Sequence, residues 1–198
     1  TGGILLLLIT CGYTSWEYNR SVHGVEFEKI RYAVNDQDTL CVIGKLKHNT
    51  IIEGYPCASD WAHFTGDWKL TLFQLSDSVT IQNISFAEDT WILFRNGRLM
   101  AVFPKDTEIQ GHLCRGGGGP KGITTSFYPD GKLNSFFAPN DVEIGAIMCR
   151  GSIMHQIVLH ANGSLKQATL ANEQTIHGVT YKKNTHLNFD PDGRVIGE

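Results

Sequence analysis

A short pattern recurs five times along the chain and limits the folds that the chain can adopt. In each copy, an isoleucine is followed five residues later by a cysteine or an aromatic residue. The pairs are Ile52/Cys57, Ile81/Phe86, Ile109/Cys114, Ile144/Cys149 and Ile176/Tyr181. Successive isoleucines are 29, 28, 35 and 32 residues apart. Recurrence at this period predicts a repeat protein, in which each unit buries its apolar face against its neighbours.

The second half of each unit carries a turn signal. An Asn-Gly or Asp-Gly pair lies between two apolar runs in four units, at Asn96-Gly97, Asp130-Gly131, Asn162-Gly163 and Asp192-Gly193. Such pairs tolerate the positive φ angles that tight hairpins need. An apolar residue precedes each turn and another follows each glycine by two, giving the pairs Phe94/Leu99, Phe127/Leu133, Leu159/Leu165 and Phe189/Val195. In the first unit, Phe64 and Leu70 keep this pattern, but Trp68 stands at the glycine position.

These signals predict an all-β chain with very little helix beyond the N-terminus. A lone hairpin is marginally stable in water, so neighbouring units must add their strands to a common framework. We expect tandem β-hairpin repeats that form an extended or curved sheet, a solenoid or a partly closed barrel. The single repeat domain covers residues 16–198, with units near 46–74, 75–103, 104–137, 138–169 and 170–198. A half-unit within residues 28–45 is expected to cap one end.

Residues 1–15 form a separate, apolar N-terminal segment. Its hydrophobic run is too short to span a bilayer as it stands, but it fits the apolar region of a secretory signal. Residues 8–11, Leu-Ile-Thr-Cys, resemble the lipobox of bacterial lipoproteins and make Cys11 a candidate for lipidation, although Thr10 replaces the usual small residue. Trp16 and Tyr18 would suit a membrane interface. A buried strand or short helix remains the alternative for this segment.

The cysteines and histidines do not form a recognisable ligand motif. Cys57, Cys114 and Cys149 share one column of the repeat, and we expect them to be apolar core thiols. A disulfide stays open, because sequence does not reveal the geometry that it requires. The eight histidines fall at unrelated repeat positions, and surface or locally bonded histidines are expected. We expect no metal and no cofactor, since Cys-x-x-Cys and His-Glu-x-x-His patterns are missing from the sequence; a distant Cys/His pair stays an alternative.

Two features supply candidate binding residues. Residues 115–122, Arg-Gly-Gly-Gly-Gly-Pro-Lys-Gly, lack the P-loop pattern and precede a strand, so they are interpreted as an insertion loop in which Arg115 and Lys121 could bind an anion or a partner. Trp61, Trp68 and Trp91 are the second set, because exposed tryptophans contribute large contact areas. Packing at the end of the array is the alternative for these tryptophans.

Residues 127–133, Phe-Tyr-Pro-Asp-Gly-Lys-Leu, with related segments around Gly97, Gly163 and Gly193, resemble MORN-type (membrane occupation and recognition nexus) repeats of the bacterial, antitoxin-like variety. The resemblance covers roughly residues 46–198. It implies stacked β-hairpins in an elongated or curved sheet, and roles in protein or membrane association, with no catalytic residues to carry over. This chain departs from the family in its longer period and its Ile-x-Gly-x-x-Cys segment.

The sequence favours binding over catalysis. A net charge of −3 provides no large basic field, so nucleic acid is not an expected partner. We expect a non-enzymatic interaction or scaffold module of a bacterial cell envelope, tethered to the membrane by its N-terminus, with a protein or envelope component as partner. A soluble cytoplasmic MORN-like binding module is one alternative. A glycan-active hydrolase is another, and it requires a tryptophan beside carboxylates drawn from Glu53, Asp67, Glu108 and Glu143.

Overall fold

The computed structural model describes residues 12–35 and 38–196 of the chain. The strands in these ranges are, in chain order, β1 Gly12–Tyr13, β2 Glu17–Val22, β3 Val25–Val34, β4 Thr39–Leu46, β5 Thr50–Ile52, β6 Tyr55–Cys57, β7 Trp61–Thr65, β8 Leu70–Gln74, β9 Val79–Ile81, β10 Ile84–Phe86, β11 Trp91–Arg95, β12 Arg98–Val102, β13 Thr107–Ile109, β14 His112–Cys114, β15 Thr125–Phe127, β16 Leu133–Phe136, β17 Val142–Ile144, β18 Ile147–Cys149, β19 Ile157–Leu159, β20 Leu165–Thr169, β21 Gln174–Ile176, β22 Val179–Tyr181 and β23 His186–Asn188. Helix in the described residues is limited to one 3-10 turn, Gly119–Lys121. The all-β prediction is confirmed.

One long sheet, here called the main sheet, organises the molecule. Within the described residues it contains 13 antiparallel strands, in the order β1, β3, β4, β7, β8, β11, β12, β15, β16, β19, β20 and β23, with β2 beside β3 on the edge that β1 also uses. The strands of the main sheet therefore lie side by side in the order in which they occur along the chain. The sheet curves and does not close into a barrel, so the curved sheet is the predicted form that fits.

Tight turns join pairs of main-sheet strands in the register that the sequence predicts. The apolar partners across the turns are Phe64/Leu70, Phe94/Leu99, Phe127/Leu133 and Leu159/Leu165, and an isolated bridge joins Phe189 to Val195. Asn96 and Gly97 have φ angles of 52° and 72°, as a two-residue hairpin turn requires. The turn at Gly131 is longer: Tyr128 N–H donates to Lys132 O at 2.8 Å, and Gly131, with φ of 84°, donates to Tyr128 O at 2.9 Å.

Within the described part of the chain, a short hairpin lies in each of five connections between main-sheet strands. These repeat hairpins are β5–β6, β9–β10, β13–β14, β17–β18 and β21–β22. The first strand of each ends at the repeat isoleucine and the second ends at the cysteine or aromatic residue five positions later. Glu53 and Gly54 in the first turn have φ angles of 52° and 84°, which fit a type I′ turn. The Ile-x-Gly-x-x-Cys segment therefore encodes one complete repeat hairpin.

The repeat hairpins cover one face of the main sheet and share its core. Their isoleucines belong to the same buried cluster as Phe27, Phe64 and Phe136 of the main sheet. Cys57, Cys114 and Cys149 each have 0% exposure, and the structure shows them as free thiols. The prediction of an apolar thiol column is confirmed, and burial raises the pKa of each of these thiols to about 12.

Backbone hydrogen bonds attach the repeat hairpins to the main sheet at the residue after the cysteine. Ala58 N–H donates to Gln74 O at 2.8 Å, and Arg150 N–H donates to Thr169 O at 2.7 Å. Arg115 N–H makes the corresponding bond to Phe137 O at 2.7 Å. These backbone hydrogen bonds, together with apolar contact, hold the cysteine column in place. The opposite face of the main sheet carries other side chains.

Candidate functional site

The opposite face of strands β3, β4, β7 and β8 carries a row of side chains that are aligned by strand register. Arg31 is opposite Ile43, Ile43 is opposite His63, and His63 is opposite Leu72. Side chains of directly opposed residues lie close together on one face of a sheet. Their neighbours along each strand point into the core, so this row lies outside the core and forms the floor of a surface cavity.

The first described strands add aromatic rings to the end of this row. Tyr13 of β1 is paired with Ala33 of β3, and the Thr14 N–H donates to Tyr32 O at 2.9 Å. Thr14 Oγ1 in turn accepts from Tyr32 N–H at 3.0 Å. These two hydrogen bonds between Thr14 and Tyr32 fix the backbone between β1 and β2, and they bring Trp16 next to β3.

Two cations lie between the aromatic rings. The Arg31 guanidinium carbon is 4.2 Å from the centre of the Tyr13 ring and 4.4 Å from that of Trp16. Lys29 Nζ is 5.0 Å from the centre of the Trp61 ring and 5.5 Å from that of Trp16. These distances lie within the range of cation–π attraction, which is worth about 0.5–1 kcal/mol at exposed sites. The stack therefore holds two positive charges in place within an aromatic frame.

The glycine-rich segment folds back over the same face. Gly117 and Gly118 have φ angles of 99° and 96°, and a Cβ on Gly118 would lie 2.6 Å from the Gly122 Cα, so the tight fold requires glycine. The 3-10 turn that follows brings Pro120 and Lys121 to the cavity beside β8. The structure thus folds the predicted insertion loop into a compact element that adds a third cation to the site.

Together these groups enclose the aromatic–cation pocket, defined as the cavity of about 460 Å³ lined by Tyr13, Trp16, Arg31, Ile43, Trp61, His63, Leu72, Pro120 and Lys121. The lining residues include arginine and lysine but no carboxylate. Arg31 Nε is buried and has no hydrogen-bond partner among the described residues. A buried donor without a partner is costly, so an acceptor in the cavity would be stabilised there.

Two further groups tune the charge of the pocket. Burial lowers the pKa of His63, so this imidazole is neutral at pH 7 and serves as a hydrogen-bonding group there. Outside the lining, Lys45 Nζ lies 2.6 Å from Glu28 Oε2. The hydrogen bond from Lys45 lowers the pKa of Glu28, and the same bond raises the pKa of Lys45. That pair neutralises itself, so the positive charge at the pocket comes from Lys29, Arg31 and Lys121.

The structure brings some of the candidate binding residues together and separates others. Trp61 and Lys121 line the aromatic–cation pocket. Trp91 is only 5% exposed in β11, and Trp68 packs against the buried core. The Arg115 guanidinium donates to Pro139 O at 2.7 Å, away from the pocket. The lipidation candidate Cys11 lies outside the described residues.

Sequence reasoning missed the most central members of the pocket. Arg31 and His63 carry no motif, nor does Lys29 beside the pocket, and Tyr13 falls within residues 1–15, the predicted apolar N-terminal segment. The available signal was the alternation Lys-x-Arg in β3 and Trp-x-His in β7, which places each pair on one face of its strand. Trp16 was expected at a membrane interface, and it lines the pocket, while Tyr18 is 62% exposed.

The carboxylates considered for catalysis occupy separate places. Glu53 Oε1 accepts from Leu70 N–H at 3.1 Å, and Asp67 accepts a hydrogen bond from Thr65. Glu108 and Glu143 are exposed at the middle of two different repeat hairpins. In residues 12–35 and 38–196, no three His, Cys, Asp or Glu side chains are grouped as metal ligands would be.

Comparison with protein-family models, curated proteins and solved structures gives no match for this chain. None of the helices in the described residues has the length and apolar character needed to cross a membrane.

Proposed function

We propose that this protein is a non-enzymatic interaction module of a bacterial cell envelope, which binds anionic lipid headgroups through the aromatic–cation pocket. The observation that carries the proposal is the composition of this pocket: its lining contains three aromatic rings, Arg31 and Lys121 but no carboxylate, and Lys29 lies beside the rings of Trp16 and Trp61. Tyrosine and tryptophan are enriched at membrane interfaces, and basic side chains there attract anionic lipids.

The N-terminal sequence supports a membrane location for the pocket. The apolar residues 4–9 precede Tyr13 and Trp16 by only a few positions, so any membrane attachment through this segment would bring the pocket close to the headgroups. A single weak anchor gives reversible binding, and stable attachment takes a second signal such as a cationic patch. The tether and the pocket would then act together. The resemblance to MORN-type repeats agrees with a role in association and not in catalysis.

The test is binding of the full chain to vesicles of phosphatidylcholine alone and of phosphatidylcholine with phosphatidylglycerol. We expect tighter binding to the anionic vesicles. Lys121→Gln should reduce that binding about fivefold, because one lysine near an anionic surface contributes about 1 kcal/mol. Lys183→Gln is the matched control, since it removes the same charge from an exposed residue beyond β22, in the last unit of the array.

Equal binding to both kinds of vesicle, or an equal effect of the two lysine substitutions, would contradict the proposal. Addition of inorganic phosphate separates a lipid surface from a free anion as the preferred ligand. If millimolar phosphate releases the protein from the anionic vesicles, a free anion is the preferred ligand and the lipid assignment fails.

A soluble, cytoplasmic protein-binding module is the second candidate. It is favoured by the thiol column, because buried, free cysteines at three repeat positions suit a reducing compartment. Mass spectrometry of the native N-terminus distinguishes the candidates, since a lipidated Cys11 supports the envelope and an intact, unmodified segment supports the cytoplasm.

A further inference from the structure

The residue after each repeat isoleucine lies at the tip of a repeat hairpin, and in three units its side chain contacts the next turn of the main sheet. Four of the five units have a long polar side chain there, at Glu53, Gln82, Gln110 and His177. The fifth has Gly145. This single position therefore differs in chemistry between one unit and the rest.

Gln110 shows what the side chain does. Its Nε2 donates to Gly131 O at 2.8 Å, and its Oε1 accepts from Leu133 N–H at 2.9 Å. One primary carboxamide thus satisfies a carbonyl and an amide that the turn leaves out of the strand ladder. A carboxamide is suited to this role because it offers a donor and an acceptor side by side.

Two other units make part of the same contact. In the first unit, Glu53 Oε1 accepts from Leu70 N–H at 3.1 Å, which corresponds to the Leu133 bond. In the last unit, His177 Nε2 lies 3.3 Å from Gly193 O, which corresponds to the Gly131 bond. The backbone groups of the turn are therefore a recurrent binding site for a polar side chain.

In the fourth unit the site has no such side chain. Gly163 and Leu165 occupy the positions of Gly131 and Leu133, and Gly145 has no side chain with which to reach them. A cavity of about 570 Å³ lies at this place, lined by Gly145, Gly163, Leu165 and His177, with Ile144 and Phe189 among its apolar walls. The cavity coincides with the missing side chain.

The packing of the turns explains why the cavity is open. A Cβ on Gly131 would lie 2.0 Å from Gln82 O of the preceding repeat hairpin. The Gly131 turn is therefore in contact with Gln82 on one side and with the Gln110 side chain on the other. A Cβ on Gly163 or Gly193 would meet nothing within 4 Å. The Gly193 turn therefore does not contact the preceding repeat hairpin as the Gly131 turn does, and Gly163 and Gly193 both line the cavity.

We propose that this cavity binds the glutamine side chain of an extended peptide. The carboxamide would donate to Gly163 O and accept from Leu165 N–H, as Gln110 does within the chain, and the aliphatic stem would contact Ile144 and Phe189. Glutamate fits less well, because its carboxylate would face Gly163 O and the nearby Asp192, which also lines the cavity. The site is distinct from the aromatic–cation pocket and does not depend on it.

The test uses the peptide acetyl-Gly-Gln-Gly-N-methylamide, whose only primary carboxamide is the glutamine side chain, and its glutamate counterpart. Binding to the full chain is followed by the NMR shifts of the Gly163 and Leu165 amides. We expect the glutamine peptide to shift both amides and to bind about tenfold more tightly than the glutamate peptide, since one unsatisfied buried group costs that much.

The substitution Gly145→Gln combined with Ala146→Gly recreates the Gln-Gly turn of residues 110 and 111. It should fill the site from within and abolish peptide binding. Gly145→Ala combined with Ala146→Gly is the matched control: it makes the same turn without a carboxamide, and it should retain binding. Equal binding of the two peptides to the unaltered chain, or equal binding by the two variants, would overturn the proposal.

Discussion

Trp68 occupies a backbone position that belongs to glycine in the related turns. Its backbone N–H donates to Thr65 O at 3.0 Å, as the backbone N–H of Gly131 donates to Tyr128 O. The φ angle of Trp68 is 63°, and that of Gly131 is 84°. A left-handed conformation costs a non-glycine residue roughly 1–2 kcal/mol. The indole ring offsets this cost through aromatic contacts, with centroids 5.4 Å from Phe64 and 4.6 Å from His23. Trp68 therefore acts in packing, in agreement with the alternative reading of this residue.

This balance predicts an unusual order of substitutions at position 68. Trp68→Ala removes the ring and keeps the backbone strain, whereas Trp68→Gly removes both. We expect both variants to be less stable than the unaltered chain, with the glycine variant about 1 kcal/mol more stable than the alanine variant. Urea denaturation followed by circular dichroism measures the difference. An alanine variant at least as stable as the glycine variant would contradict the argument.

At the scale of the element, the repeat hairpin and the main-sheet turn form one interlocking unit. The Asp130–Gly131 turn is held between Gln82 O of one repeat hairpin and the Gln110 side chain of the next. The corresponding turn at Gly163 lacks both contacts. The same hairpin type therefore contributes differently to stability along the array.

A matched pair of glycine substitutions tests this difference. Gly131 and Gly163 have φ angles of 84° and 85°, so an alanine suffers the same backbone strain at both positions. Gly131→Ala also forces the Cβ against Gln82 O, and overpacking of this kind costs about 1–3 kcal/mol. Gly131→Ala should lower the free energy of unfolding by that additional amount, as measured by urea denaturation. Equal losses of unfolding free energy for the two variants would show that the contact with Gln82 O does not distinguish the Gly131 turn from the Gly163 turn.

The sequence specified elements well and their mutual placement poorly. Asn96-Gly97 and the Ile-x-Gly pattern act within a few residues, so their hairpins could be predicted. The aromatic–cation pocket depends on register across strands whose residues are far apart in the chain. An irregularity between Phe27 and Lys29 also shifts which β3 side chains share a face, and no local signal marks it. The return of Lys121 to this face depends on a loop conformation that composition alone does not determine.

At the scale of the whole molecule, the two faces of the main sheet have different roles. The repeat hairpins bury one face and carry the thiol column, while the other face forms the floor of the aromatic–cation pocket at strands β3, β4, β7 and β8. Among the described residues, β2 lies at the first edge of the main sheet, and its exposed side chains are mostly polar, including the ion pair of Arg20 with Glu17 at 3.0 Å. Charged side chains on an edge strand discourage edge-to-edge association. In this account, binding is confined to particular places on a regular scaffold: the aromatic–cation pocket near the N-terminus and the cavity at Gly145.

Tryptophan quenching by a lipid that carries a nitroxide on its headgroup tests the proposed membrane contact most directly. The full chain is bound to phosphatidylglycerol vesicles that contain this spin-labelled lipid, and its fluorescence is compared with that of Trp16→Phe/Trp61→Phe. Trp68 and Trp91 pack within the fold and serve as internal controls. We predict that the unaltered chain is strongly quenched and that the double variant is not, because only the pocket tryptophans reach the lipid. Equal quenching of the two proteins, or none in either, would contradict a membrane-facing pocket.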